Sequence, residues 1–161
     1  MFTQVGHRPA TLQRMRIGAT SDGRLQSILH DVVSGTSRFD DYVESAGATA
    51  RVAYSCPNVA TSHGIARLDL DTPCPMRAPG EALGNFVVES AMDEVACASA
   101  VDPLELRLRN YAESDEDRRK PFSSKSLRLG ICGAAAAITN ATFHATGRRL
   151  RNFPIKAEFW V

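Results

Sequence analysis

Proline does most to fix how this chain can fold. DTPCPMRAPG at 71–80 places three prolines within seven residues, a stretch too stiff and too poor in backbone donors for helix or sheet. The next proline is Pro103. Between them, residues 81–99 read as one helix: Leu83, Phe86, Val87, Ala91, Val95 and Ala98 recur at helical spacing, with Glu81, Asp93 and Glu94 on or near the wetter side. Asp102 then serves as N-cap, with Pro103 at N1 and Glu105 at N3, a capping box in its Asp version. A short second helix follows to about Asn110, in which Leu104, Leu106 and Leu108 alternate with Glu105, Arg107 and Arg109.

Upstream, residues 12–33 read as a β-hairpin. Gln13, Met15, Ile17 and Ala19 alternate with Arg14 and Arg16, and Ser21, Asp22 and Gly23 supply the turn. The return arm places Leu25, Leu29 and Val33 on one side and Ile28 and Val32 on the other. Residues 34–50 are small and polar, a long loop with room for a helical turn. A short strand is expected at 51–56, stopped by Pro57, and a better one at 64–71, where Ala66, Leu68 and Leu70 alternate with Arg67 and Asp69. Downstream, 112–126 is a charged connection. A last helix, rich in small residues, spans about Ile131 to Thr146, with Gly147 as its C′ residue, Arg148 and Arg149 beyond its negative end, and an extended tail after Asn152.

Composition excludes several classes of function. The chain has 161 residues, 43% hydrophobic and 23% charged, with net charge +1. That is enough for a buried core and offers no basic stripe for nucleic acid or an anionic membrane. No run of 18 apolar residues spans a bilayer, and the first ten residues do not read as a signal peptide. A cytoplasmic protein is expected, reaching the periplasm only through a partner's export signal. Cys56, Cys74, Cys97 and Cys132 form no C-x-x-C pair and read as four buried or half-buried thiols, so neither a metal site nor a disulfide framework is expected.

Few residues offer chemistry unaided. Residues 76–80 run straight into a helix N-terminus, where free N–H groups and the helix dipole make a place for an anionic oxygen. Arg77 adds a charged donor or its backbone N–H, and Gly80 allows close approach of a ligand. The same residues also fit a proline-stiffened connector with a surface arginine. The alanine-rich helix fits either tight packing or a bulky cofactor. His7, His30, His63 and His144 make no recognisable catalytic pair; His144, near a helix end, reads as a surface or capping residue. Walker and dinucleotide-binding glycine patterns are absent.

Three longer stretches resemble one family. MFTQVGHRPAT at 1–11, with the hairpin and TSRFDD at 36–41, is similar to the interior of a molybdenum-binding subunit. MRAPGEA at 76–82, ESAMDE at 89–94 and DPLELRLRN at 102–110 are the most specific. GICGAAAAITNA at 130–141, FHATG at 143–147 and RRLR at 148–151 resemble the C-terminal end. The family is that of the large molybdenum-cofactor subunits of xanthine dehydrogenases and aldehyde oxidases, and the bacterial aldehyde-oxidase branch fits best. The resemblance implies an α+β fold, an antiparallel or mixed sheet packed with helices, forming part of a molybdopterin-binding subdomain.

It also implies a function. Such oxidoreductases oxidise aldehydes or nitrogen heterocycles at a molybdenum–pterin cofactor, using a water-derived oxygen, and pass electrons to iron–sulfur and FAD subunits. By this match Arg77, Ala78, Pro79 and Gly80 are candidate cofactor-loop residues. Some relatives carry a substrate-stacking Phe near the position of Pro79, so aldehydes are favoured here over purine-like substrates. The family base is a Glu just before the alanine-rich helix. Arg128 stands at that position, and an arginine stays protonated, so no catalytic residue is assigned. Residues 1–126 resemble part of the first cofactor-binding subdomain, and 127–161 the C-terminal helix and tail, joined as if a second subdomain had been lost. The chain alone is therefore expected to be inactive and to hold no cofactor. The alternative to the enzymatic reading is a non-catalytic remnant or a subunit-interaction module.

Overall fold

The structure, a computed structural model, describes residues 5–112, 114–115, 120–121 and 134–152. Strands β1 (Thr11–Ala19) and β2 (Leu25–Ser37) form the expected antiparallel hairpin, and β3 (Val59–Leu68) pairs with β2 in parallel. The sheet order is β1-β2-β3, a mixed sheet, and with the helices below it makes an α+β fold. A parallel partner cannot be reached by a tight turn, so the crossover from 38 to 58 carries its own helix, α1 (Ala48–Val52). Helices α2 (Glu81–Ser99), α3 (Pro103–Arg109) and α4 (Ala134–Thr146) follow, with β4 (Ser114–Asp115) and β5 (Lys120–Pro121) as a two-residue ribbon between α3 and α4.

Several expectations are corrected. The strand expected at 51–56 is instead the end of α1 and a single antiparallel bridge from Tyr54 to Tyr111. Small residues decide this, because Thr49 packs where Gly84 of α2 has no side chain. Residues 34–37, assigned to the loop, extend β2, since β3 gives them partners from Ile65 to Leu68. The third strand begins at Val59 and ends at Leu68, not at 64–71. Within the expected charged connection, Ser114 and Asp115 pair with Pro121 and Lys120. Leu25 points to the core with Ile28, not outward with Leu29 and Val33. The register shifts between Gly18 and Ala19, and one extra residue reverses the faces beyond it.

The core lies between the inner sheet face and α2. Leu25, Ile28, Ala50, Tyr54, Cys56, Val88, Met92, Ala96 and Leu106 form one cluster. Met92 and Leu106 have no exposed surface, and each contributes roughly 1.5–3 kcal/mol by leaving water. In α2 the face built on Val88, Met92 and Ala96 meets the core, while Leu83, Val87, Ala91 and Val95 are half-buried and Ala98 is exposed. In α3 only Leu106 is buried, and Leu104 and Leu108 face solvent. Asp102 caps α3 as expected, its Oδ1 accepting from the N–H groups of Leu104 and Glu105 at 2.9 and 3.0 Å. Asn110 then ties α3 to the hairpin: Oδ1 accepts from Leu25 N–H at 2.9 Å and Nδ2 donates to Gly23 O at 2.8 Å.

Helix α4 packs on α2. Gly147 closes it at φ 73°, donating to Phe143 O at 2.7 Å. Asp93, expected near the wet side of α2, is buried because Arg149 and His144 cover it. Of the thiols, Cys56 is buried and Cys74 half-buried, but Cys97 is exposed. Cys132, Arg128, the join around 124–130 and the tail beyond Asn152 lie outside the described residues. No described helix is long and apolar enough to cross a membrane.

Candidate functional site

Residues 76–80 lie beside the crossover loop that precedes α1. Two of them have positive φ: Ala78 at 56° and Gly80 at 80°. Gly80 tolerates this without a Cβ, whereas Ala78 does not, and Ala78 also precedes a proline. Its conformation is therefore imposed from outside. Arg8 Nη2 donates to Arg77 O at 2.6 Å, and Nη1 donates to Ala78 O at 3.3 Å. The same guanidinium pairs with Glu44 Oε1 at 2.6 Å, and the Glu44 carboxylate has no exposed surface. Glu44 Oε1 also accepts from Gly80 N–H at 2.8 Å.

These contacts change what the loop offers. Gly80 N–H is taken by Glu44, so it is not a free donor at the head of α2. A Cβ on Gly80 would stand 2.7 Å from Ser45 O. Its missing side chain thus makes room for protein backbone. In a trans peptide the N–H points opposite to the C=O. Arg8 holds the Arg77 carbonyl toward its own guanidinium, so the Ala78 N–H of the same peptide points away from the Arg8–Glu44 pair. The loop presents that donor together with the exposed side chains of Arg77 and Pro79.

Beside the loop is a cavity of about 820 Å³ between α1, α2, α3 and α4. Pro79 lines it at one side, Ala136 and Ala137 of the alanine-rich helix at another. Two features that the sequence singled out separately thus border one space. Arg77, Ala78 and Gly80 do not line it.

A polar network crosses the α2–α4 contact that bounds this cavity. Tyr54 Oη donates to Glu89 Oε1 at 2.6 Å, and Arg107 Nε donates to Glu89 Oε2 at 2.8 Å. Burial and the Glu89 carboxylate hold the Tyr54 phenol far above its usual range. Asp93 takes His144 Nε2 at 3.2 Å and Arg149 Nη1 at 3.0 Å. Arg149 Nη1 also donates to Asn140 Oδ1 at 2.9 Å, and its guanidinium stacks 3.7 Å over the Phe143 ring. His144 is therefore half-exposed and paired across the helix contact rather than a cap. Among the described residues no group of three His, Cys, Asp or Glu side chains is placed to hold a metal ion.

Sequence reasoning missed Arg8 and Glu44. Their only sequence signal was two charges in segments that read as loop, and the contact spans 36 residues to Glu44 and 69 to Arg77.

A family model described as the molybdopterin cofactor-binding domain matches residues 1–111. The chain is 39% identical over 122 residues to the aldehyde oxidoreductase molybdenum-binding subunit of Escherichia coli K12, covering 75% of this chain and 16% of that protein. It is 32% identical over 117 residues to the putative xanthine dehydrogenase molybdenum-binding subunit of the same organism, covering 70% of this chain and 15% of that one. The fold is also that of part of quinoline 2-oxidoreductase from Pseudomonas putida 86, with TM-score 0.63, 20% identity, and cover of 91% of this chain and 19% of the other. Aldehyde oxidoreductase from Desulfovibrio gigas gives TM-score 0.60 and 18% identity over 90% of this chain and 16% of its own. The chain thus spans a minor part of the length of each of these proteins.

Proposed function

This chain belongs to the molybdopterin cofactor-binding domain family, and we propose that its part in such a protein is to form one wall of the cofactor site. The observation that carries this reading is the loop at 76–80, whose Ala78 N–H points away from Arg8 and Glu44 beside the exposed Arg77. These residues fit the group: an outward peptide donor and a guanidinium suit the acceptor oxygens of an anionic pterin cofactor. Arg77 and Ala78 would hold it, with Pro79 at the edge of the adjoining cavity. The cofactor, when bound, supplies the redox chemistry that oxidises an aldehyde or nitrogen heterocycle with a water-derived oxygen. The chain's own residues bind and orient. Pro79 itself supplies no aromatic stacking surface at the cavity edge, which favours aldehydes. Iron–sulfur and FAD subunits are the partners this role calls for.

The chain by itself is proposed to be inactive, because Arg128, at the position of the family Glu, keeps its proton at any working pH. The join of 1–126 to 127–161 belongs to the same proposal. A non-catalytic role as remnant or interaction module remains the second reading. It is favoured by Arg128, which stands where the family Glu is expected.

The test is purification from a molybdenum-replete host, followed by metal and pterin analysis and an aldehyde-oxidation assay. The expected result is molybdenum well below one per chain and no turnover. Stoichiometric molybdenum with turnover would overturn the claim of a single wall. Hydrogen exchange at Ala78 should slow when extracted cofactor is added, and exchange blind to the cofactor would remove the loop assignment.

A further inference from the structure

We propose that Arg8 and Glu44 are positioning residues that lock the 76–80 loop with the Ala78 N–H outward. Three segments far apart in sequence meet in one charged cluster. Arg8 follows from the strand lead-in, Glu44 from the crossover, and 77–80 from the head of α2. Each contact has a distinct task. The two nitrogens of the Arg8 fork hold the carbonyls of Arg77 and Ala78, which fixes two successive peptide planes. Glu44 Oε1 holds Arg8 in place and fixes the next N–H available, that of Gly80, since Pro79 has none.

The cluster opposes a real tendency. Ala78 at φ 56° before Pro79 would relax to extended backbone if released, because the left-handed region crowds its Cβ and the proline ring. Relaxation would turn the Arg77–Ala78 peptide and take its N–H from the outer face. Glu44 is also more than a counter-ion. Its side chain is fully buried, and its second oxygen, Oε2, is buried without a hydrogen-bond partner among the described residues. A carboxylate is kept in so unfavourable a place only where neighbouring donors require it. The purpose of the lock rests on the reading of 76–80 as a cofactor loop, but its geometry does not.

Limited trypsin digestion of the full chain tests this without any cofactor. Arg77 is exposed, yet its carbonyl is held by Arg8 and Ala78 is fixed at φ 56°, so the Arg77–Ala78 bond cannot take the extended form a protease binds. In the wild type, cleavage there should lag behind cleavage after Arg38, which is exposed in a bend. Arg8→Lys keeps the charge but cannot span both carbonyls, and Glu44→Gln keeps an acceptor for Gly80 while losing the ion pair. Each should speed cleavage after Arg77 by about tenfold, with cuts after Arg14, Arg16 and Arg38 unchanged. The double variant should be no faster than the single ones, because the two residues act as a unit.

Equal acceleration at every site would show a role in overall stability and overturn the proposal. So would wild-type cleavage after Arg77 as fast as after Arg38. Hydrogen exchange on the wild type gives a check that needs no variant: Gly80 N–H should exchange slowly and Ala78 N–H fast, and the reverse order overturns the lock. Molybdenum content of the same preparations separates the two claims. Protection of Arg77 in metal-free chain supports the lock on its own. Molybdenum retained in chain that is freely cut after Arg77 would overturn the lock and leave the cofactor reading standing.

Discussion

Ala100 holds the C-cap of α2 at φ 54°, and Val101 N–H reaches back to Ala96 O at 3.1 Å. A Cβ is crowded there, and glycine is the residue that fits. Ala100→Gly should therefore stabilise the chain by about 0.5–1 kcal/mol, read as a higher urea midpoint at unchanged slope. A second residue-scale prediction concerns pH. Burial pushes the His30 imidazole below its usual range, His63 adds to this, and Asp31 opposes it. Folded and unfolded chains both carry a neutral imidazole well above pH ~6.5, so the stability is fully present there. As pH falls below that value the unfolded chain takes up a proton that the folded chain resists. Stability is then lost at up to about 1.4 kcal/mol per pH unit until the depressed folded value is reached. Urea titrations at about pH 7.5 and about pH 5.5 should show this loss, and His30→Gln should reduce it. Single residues were legible in sequence where one neighbour decides: Asp102 capping α3, Gly23 in the turn, Gly147 after α4. They were not legible where the decisive partner lies far along the chain, as for Leu25 beyond a register shift or Glu44 under Arg8.

At the scale of elements, the contact between α2 and α4 is held by charge more than by apolar packing. The Asp93 and Arg149 side chains are both buried, and removing Asp93 takes away the nearest counter-charge of Arg149, leaving it Asn140, the Phe143 ring and Glu94 at 3.9 Å. Asp93→Ala should cost about 3 kcal/mol. Helix α4 makes its main element contact with α2, so the loss should be local. Amide exchange across residues 134–146 should rise sharply while β2 keeps its protection. Exchange rising equally in both would count against this account. Periodicity located α2 within its observed ends, yet it assigned Asp93 to water. Helical spacing reports where a side chain points, and the cover over Asp93 comes from a residue 56 positions later. The short strand expected at 51–56 failed for a related reason. Local propensity competed with a neighbouring glycine, Gly84, that only the folded chain brings near.

On the scale of the whole molecule, the outer face of the sheet leaves apolar side chains exposed among the described residues. Register aligns Leu12 with Val33 and Arg16 with Leu29, and these leucines and the valine are between 40% and 61% exposed. β1 and β3 also form the two edges of a three-stranded sheet. Exposed Leu12, Leu29 and Val33 around the Arg16–Asp31 pair, on a sheet with two edge strands, invite association with further chain. The isolated protein should self-associate in size-exclusion chromatography with light scattering, and Leu29→Lys should shift it toward monomer. A monodisperse monomer at high concentration would show that this face needs no cover.

The cluster around Glu44 bears on the order in which the chain acquires its shape. The 76–80 loop owes its form to Arg8, 69 residues earlier, and to Glu44, which the crossover must first deliver. Contacts of such long sequence separation close late, after the strands between them have paired. During synthesis no chain shorter than about the first turns of α2 can contain a shaped loop, however well its hairpin has formed. A ligand that recognises the outward Ala78 N–H would thus bind only chain whose sheet, crossover and second helix are already assembled. Binding itself would be a report of completed folding.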